Sequence, residues 1–285
     1  MAAKRYRPQL TDAAKPSTFE VEAVNERGEM VPTAVAGEHP LTLYLDRKEL
    51  VTLMTLGHAP EALAIGYLRN QRLVGALKDI TAVQVDWETD SCAVTTRKGV
   101  KDLKKKTGKR TVTSGCGQGT MFGSLMDEID EVKLRKDVTL RDDQLFTLIE
   151  KVRKYETIYK QSGAVHGCAL ARATAQDTAE ILLFIEDVGR HNAVDAIAGF
   201  MWLEAIDGSD KVFYTTGRLT SEMVIKCAQM RIPFLVSRSG LTQMGYQIAQ
   251  KTGITMLGRA SGRHYLAFTG RQRLLRGTPQ PTAYA

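Results

Sequence analysis

Apolar and polar residues alternate along Leu41–Thr55 on both sides of Asp46, Arg47 and Lys48, the period-two pattern of two strands joined by a tight turn. Upstream, residues 1–40 hold few periodic apolar positions, which predicts an irregular lead-in with one short strand over Phe19–Val24. Downstream the period lengthens. Pro60 suits a first helical turn, and Leu63, Ala64, Tyr67 and Leu68 share one face, so a short helix is expected from Pro60 to about Leu73. Ile80–Trp87 and Ser91–Thr96 return to strand character and complete a small α+β unit over residues 41–110.

From Arg141 to about Gln161, Leu145, Leu148, Ile149, Val152, Tyr155 and Tyr159 recur at three- and four-residue spacing, which predicts one amphipathic helix. Strands then alternate with helices. The strands are Val165–Ala171, Glu180–Glu186, Lys211–Thr215, Pro233–Val236, Ile254–Leu257 and His264–Phe268; the helices are Asn192–Ile206, Ser221–Met230 and Thr242–Gln250. This order predicts an α/β domain over residues 141–270, built on a largely parallel, helix-covered sheet. Residues 111–140 form a glycine-rich connector before it and residues 271–285 a tail after it. In such sheets ligands meet the loops at the carboxyl ends of strands, here Glu186–Asn192, Thr216–Thr220 and Ser237–Gln243.

With 285 residues, 43% hydrophobic and 25% charged, the chain has the composition of a folded protein rather than a disordered or fibrous one. No run approaches the roughly 20 apolar residues of a membrane helix, and the opening MAAKRYRPQL lacks an apolar signal core, so a soluble cytoplasmic protein without membrane contact is expected. The net charge of +7 is local: RKGVKDLKKKTGKR, from Arg97 to Arg110, holds eight cations and one acid, leaving 31 against 31 elsewhere. A second basic group is Arg259, Arg263, Arg271, Arg273 and Arg276. Two such patches point to a phosphate-bearing partner.

Four cysteines, Cys92, Cys116, Cys168 and Cys227, lie far apart without a CxxC pair, so neither a disulfide framework nor a finger-type zinc site is signalled. Cys116 stands out. Gly115, Gly117 and Gly119 leave its sulfur accessible, and the neighbouring cations favour thiolate over thiol. The other three fall within predicted strands or a helix and read as packing residues. In EDVGRHNAVD a strand turns into a helix; Asn192 and Asp195 suit the helix start, whereas Arg190 and His191 carry donors for a phosphate or a heterocycle edge. TTGRLTSE supplies Arg218, Thr220 and Ser221 in a comparable turn, where phosphate binding and ordinary capping fit equally. His166 is followed two residues later by Cys168 rather than Glu, and no P-C-x-x-C follows, so zinc deaminase chemistry is disfavoured and no metal is assigned.

Together SGCGQG, SGAVHGCAL, EDVGRHNAVD, TTGRLTSEMVIKCAQMRIPFLVSRS and the arginine-rich ending after GITMLG resemble the FdhD family of formate dehydrogenase accessory sulfurtransferases, from about Leu41 to Thr269. The resemblance implies a cytidine-deaminase-like mixed sheet covered by helices, without zinc, and a homodimer. It implies sulfur relay: a cysteine desulfurase loads a persulfide on Cys116, and the sulfur passes to the molybdenum bis(molybdopterin guanine dinucleotide) cofactor, bound as substrate, before formate dehydrogenase receives it. Gly119 stands where the family commonly has a second cysteine. The family's cofactor-binding segment falls on Arg259, Ala260, Ser261, Gly262, Arg263 and His264, with Arg190, His191, Arg218 and Ser221 expected in the same pocket and Ser237 and Ser239 beside them. A non-covalent cofactor chaperone is the alternative function. Nucleic-acid binding through Arg97–Arg110 ranks lower and is not expected, because no aromatic residue interleaves the lysines.

Overall fold

The computed structural model describes residues 5–100, 129, 132, 134–174 and 178–277. Its first strands are β1 (Gln9–Leu10), β2 (Thr18–Val24) and β3 (Met30–Ala36); β2 and β3 pair as an antiparallel ribbon. The short strand expected over Phe19–Val24 is β2, and the stretch expected to be otherwise irregular also holds β1 and β3. Strand β3 escaped the period-two reading because the ribbon is largely exposed, and Met30, Val31 and Val35 are not set against a core.

Strands β4 (His39–Leu45) and β5 (Lys48–Thr55) form the expected hairpin, with Asp46 and Arg47 both at positive φ, the geometry that a two-residue turn needs to match strand twist. Helix α1 (Pro60–Asn70), β6 (Ile80–Asp86) and β7 (Ser91–Thr96) follow, giving a five-stranded sheet in the order β1-β6-β7-β4-β5.

After the short β8 (Leu140–Arg141) come α2 (Asp142–Tyr155) and α3 (Ile158–Ser162), where one helix was expected. A buried carboxylate divides them. Glu186 accepts hydrogen bonds from the backbone N–H of Thr157, Ile158 and Tyr159 at 2.9–3.1 Å, so a new helix start replaces continuation of the old one.

The remaining elements are β9 (His166–Ala173), β10 (Ala179–Asp187), α4 (Arg190–Leu203), β11 (Lys211–Thr215), α5 (Ser221–Gln229), β12 (Phe234–Ser237), α6 (Gln243–Thr252), β13 (Thr255–Ser261), β14 (His264–Ala267) and β15 (Leu274–Leu275). Six of these strands form a sheet in the order β10-β9-β11-β12-β13-β14. It is mixed rather than largely parallel: only β11-β12 and β12-β13 pair in parallel. The connections after β9 and β13 are too short for a crossover, so both strands turn back antiparallel.

Alternation along β9 assigns the layers. Ala169 and Ala171 face α2 with Leu145, Leu148 and Val152; Cys168 and Leu170 face the opposite core with Val194, Ile197 and Val224 of α4 and α5. That second core continues through α1 to the five-stranded sheet. Helix α1 is buried nearly all round, as a helix packed between layers must be.

The crossing of α1 and α4 is backbone to backbone. A methyl group at Gly66 would overlap the Asp195 carbonyl oxygen, and one at Gly199 would overlap that of Ala62. Backbone cannot rotate away as a side chain can, so Gly66→Ala is expected to force the helices apart and destabilise the protein by about 1–3 kcal/mol or more. Urea denaturation of the variant beside the unaltered protein reads this directly.

Candidate functional site

The amino end of β9 and the carboxyl ends of β10, β11 and β12 lie side by side, because Asp187 pairs with His166, Thr215 with Cys168, and Thr215 with Ser237. The loops beyond them are laced together. Leu219 N–H donates to the Gly240 carbonyl at 3.0 Å, Thr242 N–H to that of Leu219 at 3.1 Å, and Arg259 N–H to that of Ser239 at 2.9 Å. Ser237 Oγ donates to the Gly217 carbonyl at 2.7 Å and accepts from Ser239 N–H at 2.9 Å. The loops expected to carry ligand contacts thus form one rim.

Asp187 is its fixed point. Its carboxylate accepts from Thr55 Oγ1 at 2.6 Å, Leu56 N–H at 3.2 Å, Gly189 N–H at 3.0 Å and Asn192 Nδ2 at 2.8 Å. Burial pushes its pKa up, and these donors oppose the shift. Asn192, expected to cap the helix, lies inside α4 and reaches back to Asp187 and the Met54 carbonyl; Gly189 occupies the cap position. The partners on β5 are distant in sequence, and no local motif signalled them.

Arg190 and His191 fall in the first turn of α4 and are both buried. The Arg190 stem crosses Gly217 so closely that a Cβ there would stand 2.6 Å from Arg190 Cδ, which explains glycine in the TTGRLTSE turn. His191 turns inward, its Nε2 3.4 Å from Glu222. Glu222 in turn meets Lys226 Nζ at 3.3 Å, and Lys226 pairs with Asp195 at 2.8 Å. Asp195, expected to act on the helix start, instead accepts from Asn70 Nδ2 of α1 at 2.7 Å and from Lys226. Burial, with Lys226 next, drives the His191 pKa down to about 3, so its imidazole is neutral.

His166 stands at the rim with Nδ1 3.4 Å from Thr216 Oγ1. Burial lowers its pKa first, and Arg190, Arg238 and Arg218 lower it further. These three guanidiniums therefore supply positive charge around an uncharged imidazole. Arg238, which the sequence reading did not single out, is held by Glu156 at 3.1 Å and lies 5.0 Å above the Tyr159 ring. Arg218 is exposed. Ser221 is half-buried at the start of α5, behind Thr220, whose buried Oγ1 has no hydrogen-bond partner among the described residues.

The segment Arg259–His264 divides. Arg259, at positive φ, lines a cleft of about 620 Å³ with Leu241, Thr242, Tyr246 and Phe268. Ala260 is core; Ser261, Gly262 and His264 form the exposed hairpin between β13 and β14; Arg263 stacks 4.9 Å above Phe146 of α2. Arg273 is buried, so the C-terminal arginines are not one surface patch. Cys116 and residues 101–110 of the basic run lie outside the described residues. Cys92, Cys168 and Cys227 are all buried, and burial pushes their thiols upward, Cys168 to about 12. No described helix is long and apolar enough to cross a membrane.

Comparison with known proteins gives a consistent picture. The profile of the FdhD/NarQ family matches residues 36–275. The sulfur carrier protein FdhD of Listeria monocytogenes (EGD-e) is 30% identical over 246 residues, covering 86% of this chain and 92% of that one. That of Wolinella succinogenes is 28% identical over 235 residues, covering 82% and 80%. The crystal structure assigned to a formate dehydrogenase accessory protein from Desulfotalea psychrophila superposes with a TM-score of 0.72 at 25% identity, over 91% of this chain and all of that one.

Two outcomes follow from the buried network. The folded protein keeps His191 neutral down to about pH 3, whereas the unfolded chain protonates it below 6.5. Stability from this group is therefore complete above 6.5 and falls by about 2 kcal/mol by pH 5. His191→Gln is expected to flatten the pH dependence of chemical denaturation across that window. Lys226→Met, which leaves Asp195 buried beside Glu222 without its cation, is expected to cost about 3–5 kcal/mol; adding Asp195→Asn restores part of the loss in the same assay.

Proposed function

Because the chain belongs to the FdhD/NarQ family, we propose that it is a sulfur carrier serving formate dehydrogenase, with Cys116 as the sulfur-bearing residue. One observation carries the assignment of the residue: the other three cysteines are sealed in the core and held as thiols, and a buried thiol is a poor nucleophile. Cys116, flanked by Gly115 and Gly117 and preceded by the Arg97–Arg110 cations, has the sequence context of an accessible thiolate.

In the loading step the Cys116 thiolate attacks the terminal sulfur of a persulfide on a cysteine desulfurase. The new S–S bond forms as the old one breaks, and the desulfurase cysteine leaves as thiolate, so no external oxidant or reductant is needed. In the hand-over the Cys116 S–S bond breaks and Cys116 leaves as thiolate, while the acceptor, the bis(molybdopterin guanine dinucleotide) molybdenum cofactor in its reduced form, would supply the electron pair that takes up the outer sulfur; the cofactor is cargo here. Its phosphates suit the rim formed by Arg190, Arg218 and Arg238 around His166, since guanidinium groups pair with phosphate oxygens two at a time. The cleft at Arg259 offers Tyr246 and Phe268 beside a cation, a setting that suits a guanine nucleotide end.

Gly119 in place of a second loop cysteine keeps the covalent step on one sulfur and is the observation that favours the chaperone reading instead. The two readings separate on one experiment. Purified protein incubated with a cysteine desulfurase and cysteine, then mapped by non-reducing peptide mass spectrometry, is expected to gain one sulfur on Cys116. Cys116→Ser is expected to fold normally and lose both the adduct and the activation of formate dehydrogenase. An unmodified Cys116 beside a loaded control acceptor, or a fully active Cys116→Ser protein, identifies a non-covalent chaperone.

A further inference from the structure

A second cleft lies at the opposite end of the six-stranded sheet. It has a volume of about 630 Å³ and is bounded by the residues just before β11 and β12, among them Gly208 and Arg231. Those strands are four and five residues long, so the cleft is about 15 Å from the rim of loops at their carboxyl ends. It is a separate surface.

Three helices end there, and all end in the same way. Leu73 N–H donates to the Leu68 carbonyl at 2.9 Å, Ile206 N–H to that of Met201 at 2.8 Å, and Ile232 N–H to that of Cys227 at 3.0 Å, closing α1, α4 and α5 with six-to-one bonds. Such an ending needs a left-handed residue just before the donor, and glycine adopts that conformation without cost. Here the left-handed residues are Arg72, Ala205 and Arg231, at φ 51°, 47° and 62°. Two of the three strained positions thus carry a guanidinium, and both line the cleft.

Arg69 supplies a third. Its Nη1 donates to the Ala198 carbonyl at 2.8 Å, and its guanidinium lies 5.3 Å above the Trp202 ring, which fixes its plane. Burial, and then the charge of Arg231, lower its pKa to about 10. Like charges have thus been drawn together where mutual repulsion opposes them. Asp207 is the one acid on the described wall; it accepts from the backbone and hydroxyl of Ser209 within its own turn, which with the charges of Lys211 and Arg231 lowers its pKa.

We propose that this cleft binds the phosphate group of a small molecule no larger than a mononucleotide, with Arg69, Arg72 and Arg231 as its ligands. The volume lies within the range of roughly 300–1,000 Å³ that small-ligand sites occupy. Three arginines lining one concavity suit a compact, multiply charged anion better than the single carboxylates of an acidic peptide. The proposal is independent of sulfur transfer.

Isothermal titration of the full-length protein with pyrophosphate and with AMP tests it, and the two arms separate a bare phosphate ligand from a nucleotide. Saturable binding of at least one is expected. Arg72→Gly/Arg231→Gly is expected to weaken that binding roughly tenfold or more while raising the melting temperature of the unliganded protein, because glycine relieves both left-handed positions. Arg27→Ala, in the exposed turn between β2 and β3, is expected to leave that affinity unchanged. Should the glycine pair not fold, Arg72→Gln/Arg231→Gln carries the same binding comparison. Absence of saturable binding by either probe, unchanged affinity in the double variant, or an equal loss of affinity with Arg27→Ala overturns the proposal and leaves these arginines as caps of helix ends.

Discussion

Three helices meet at the carboxylate of Asp195, which is 0% exposed. Asn70 reaches it from α1 and Lys226 from α5, while the Asp195 main chain presses against Gly66. A carboxylate so placed keeps its charge only while a cation and a donor stay beside it. Apolar packing alone would tolerate a slide of α1 along α4, but this charge does not. The crossing therefore fixes how the five-stranded sheet sits over the six-stranded one. It also brings the end of β5 to Asp187 and Asn192, where Thr55, Leu56 and the Met54 carbonyl complete the rim's anchor.

The same network decides the electrostatics of the rim. Lys226 is shared between Asp195 and Glu222, and Glu222 holds His191 by Nε2. With both His191 and His166 held below their ordinary pKa, the side-chain positive charge around His166 comes from guanidinium groups rather than from imidazolium. Arginine stays charged at any physiological pH. At neutral pH and above, the side-chain charge of the rim therefore does not depend on imidazole protonation, and acid acts on the fold through His191.

Much of this was legible in the sequence where period and composition agree. The β4-β5 turn announced itself through alternation on both sides of Asp46 and Arg47, and the arrangement of loops at strand ends followed from the order of elements. Three features were not legible, for different reasons. Strand β3 is largely exposed, so Met30, Val31 and Val35 create no polar contrast to read, although its partner β2 was expected. The break between α2 and α3 is imposed by Glu186, some thirty residues away, and nothing near Glu156 signals it. Asn192 satisfied a local capping rule, yet its amide went to β5, because a buried Asp187 and Met54 carbonyl offered stronger partners than the helix's own first turn. Around the site, Arg190 and His191 were legible as donors but not as inward-facing ones, and Arg238 became visible only when the fold set it beside His166.

The two ends of the six-stranded sheet reach a positive potential by different means. At the rim, α4, α5 and α6 begin, and helix starts present free N–H groups and roughly half a positive charge each; backbone and arginine act together there. At the far end α1, α4 and α5 terminate, so the backbone contributes negative partial charge that disfavours an anion. Any anion held at that end must be held by side chains strong enough to outweigh three helix ends and Asp207. Guanidinium is the group able to do so, and it appears at Arg72 and Arg231 even though both stand in a backbone conformation that glycine would occupy without strain. Arg47 and Arg259 also stand left-handed elsewhere in the chain, so what sets the far cleft apart is the gathering of Arg72 and Arg231 beside Arg69 rather than the conformation itself.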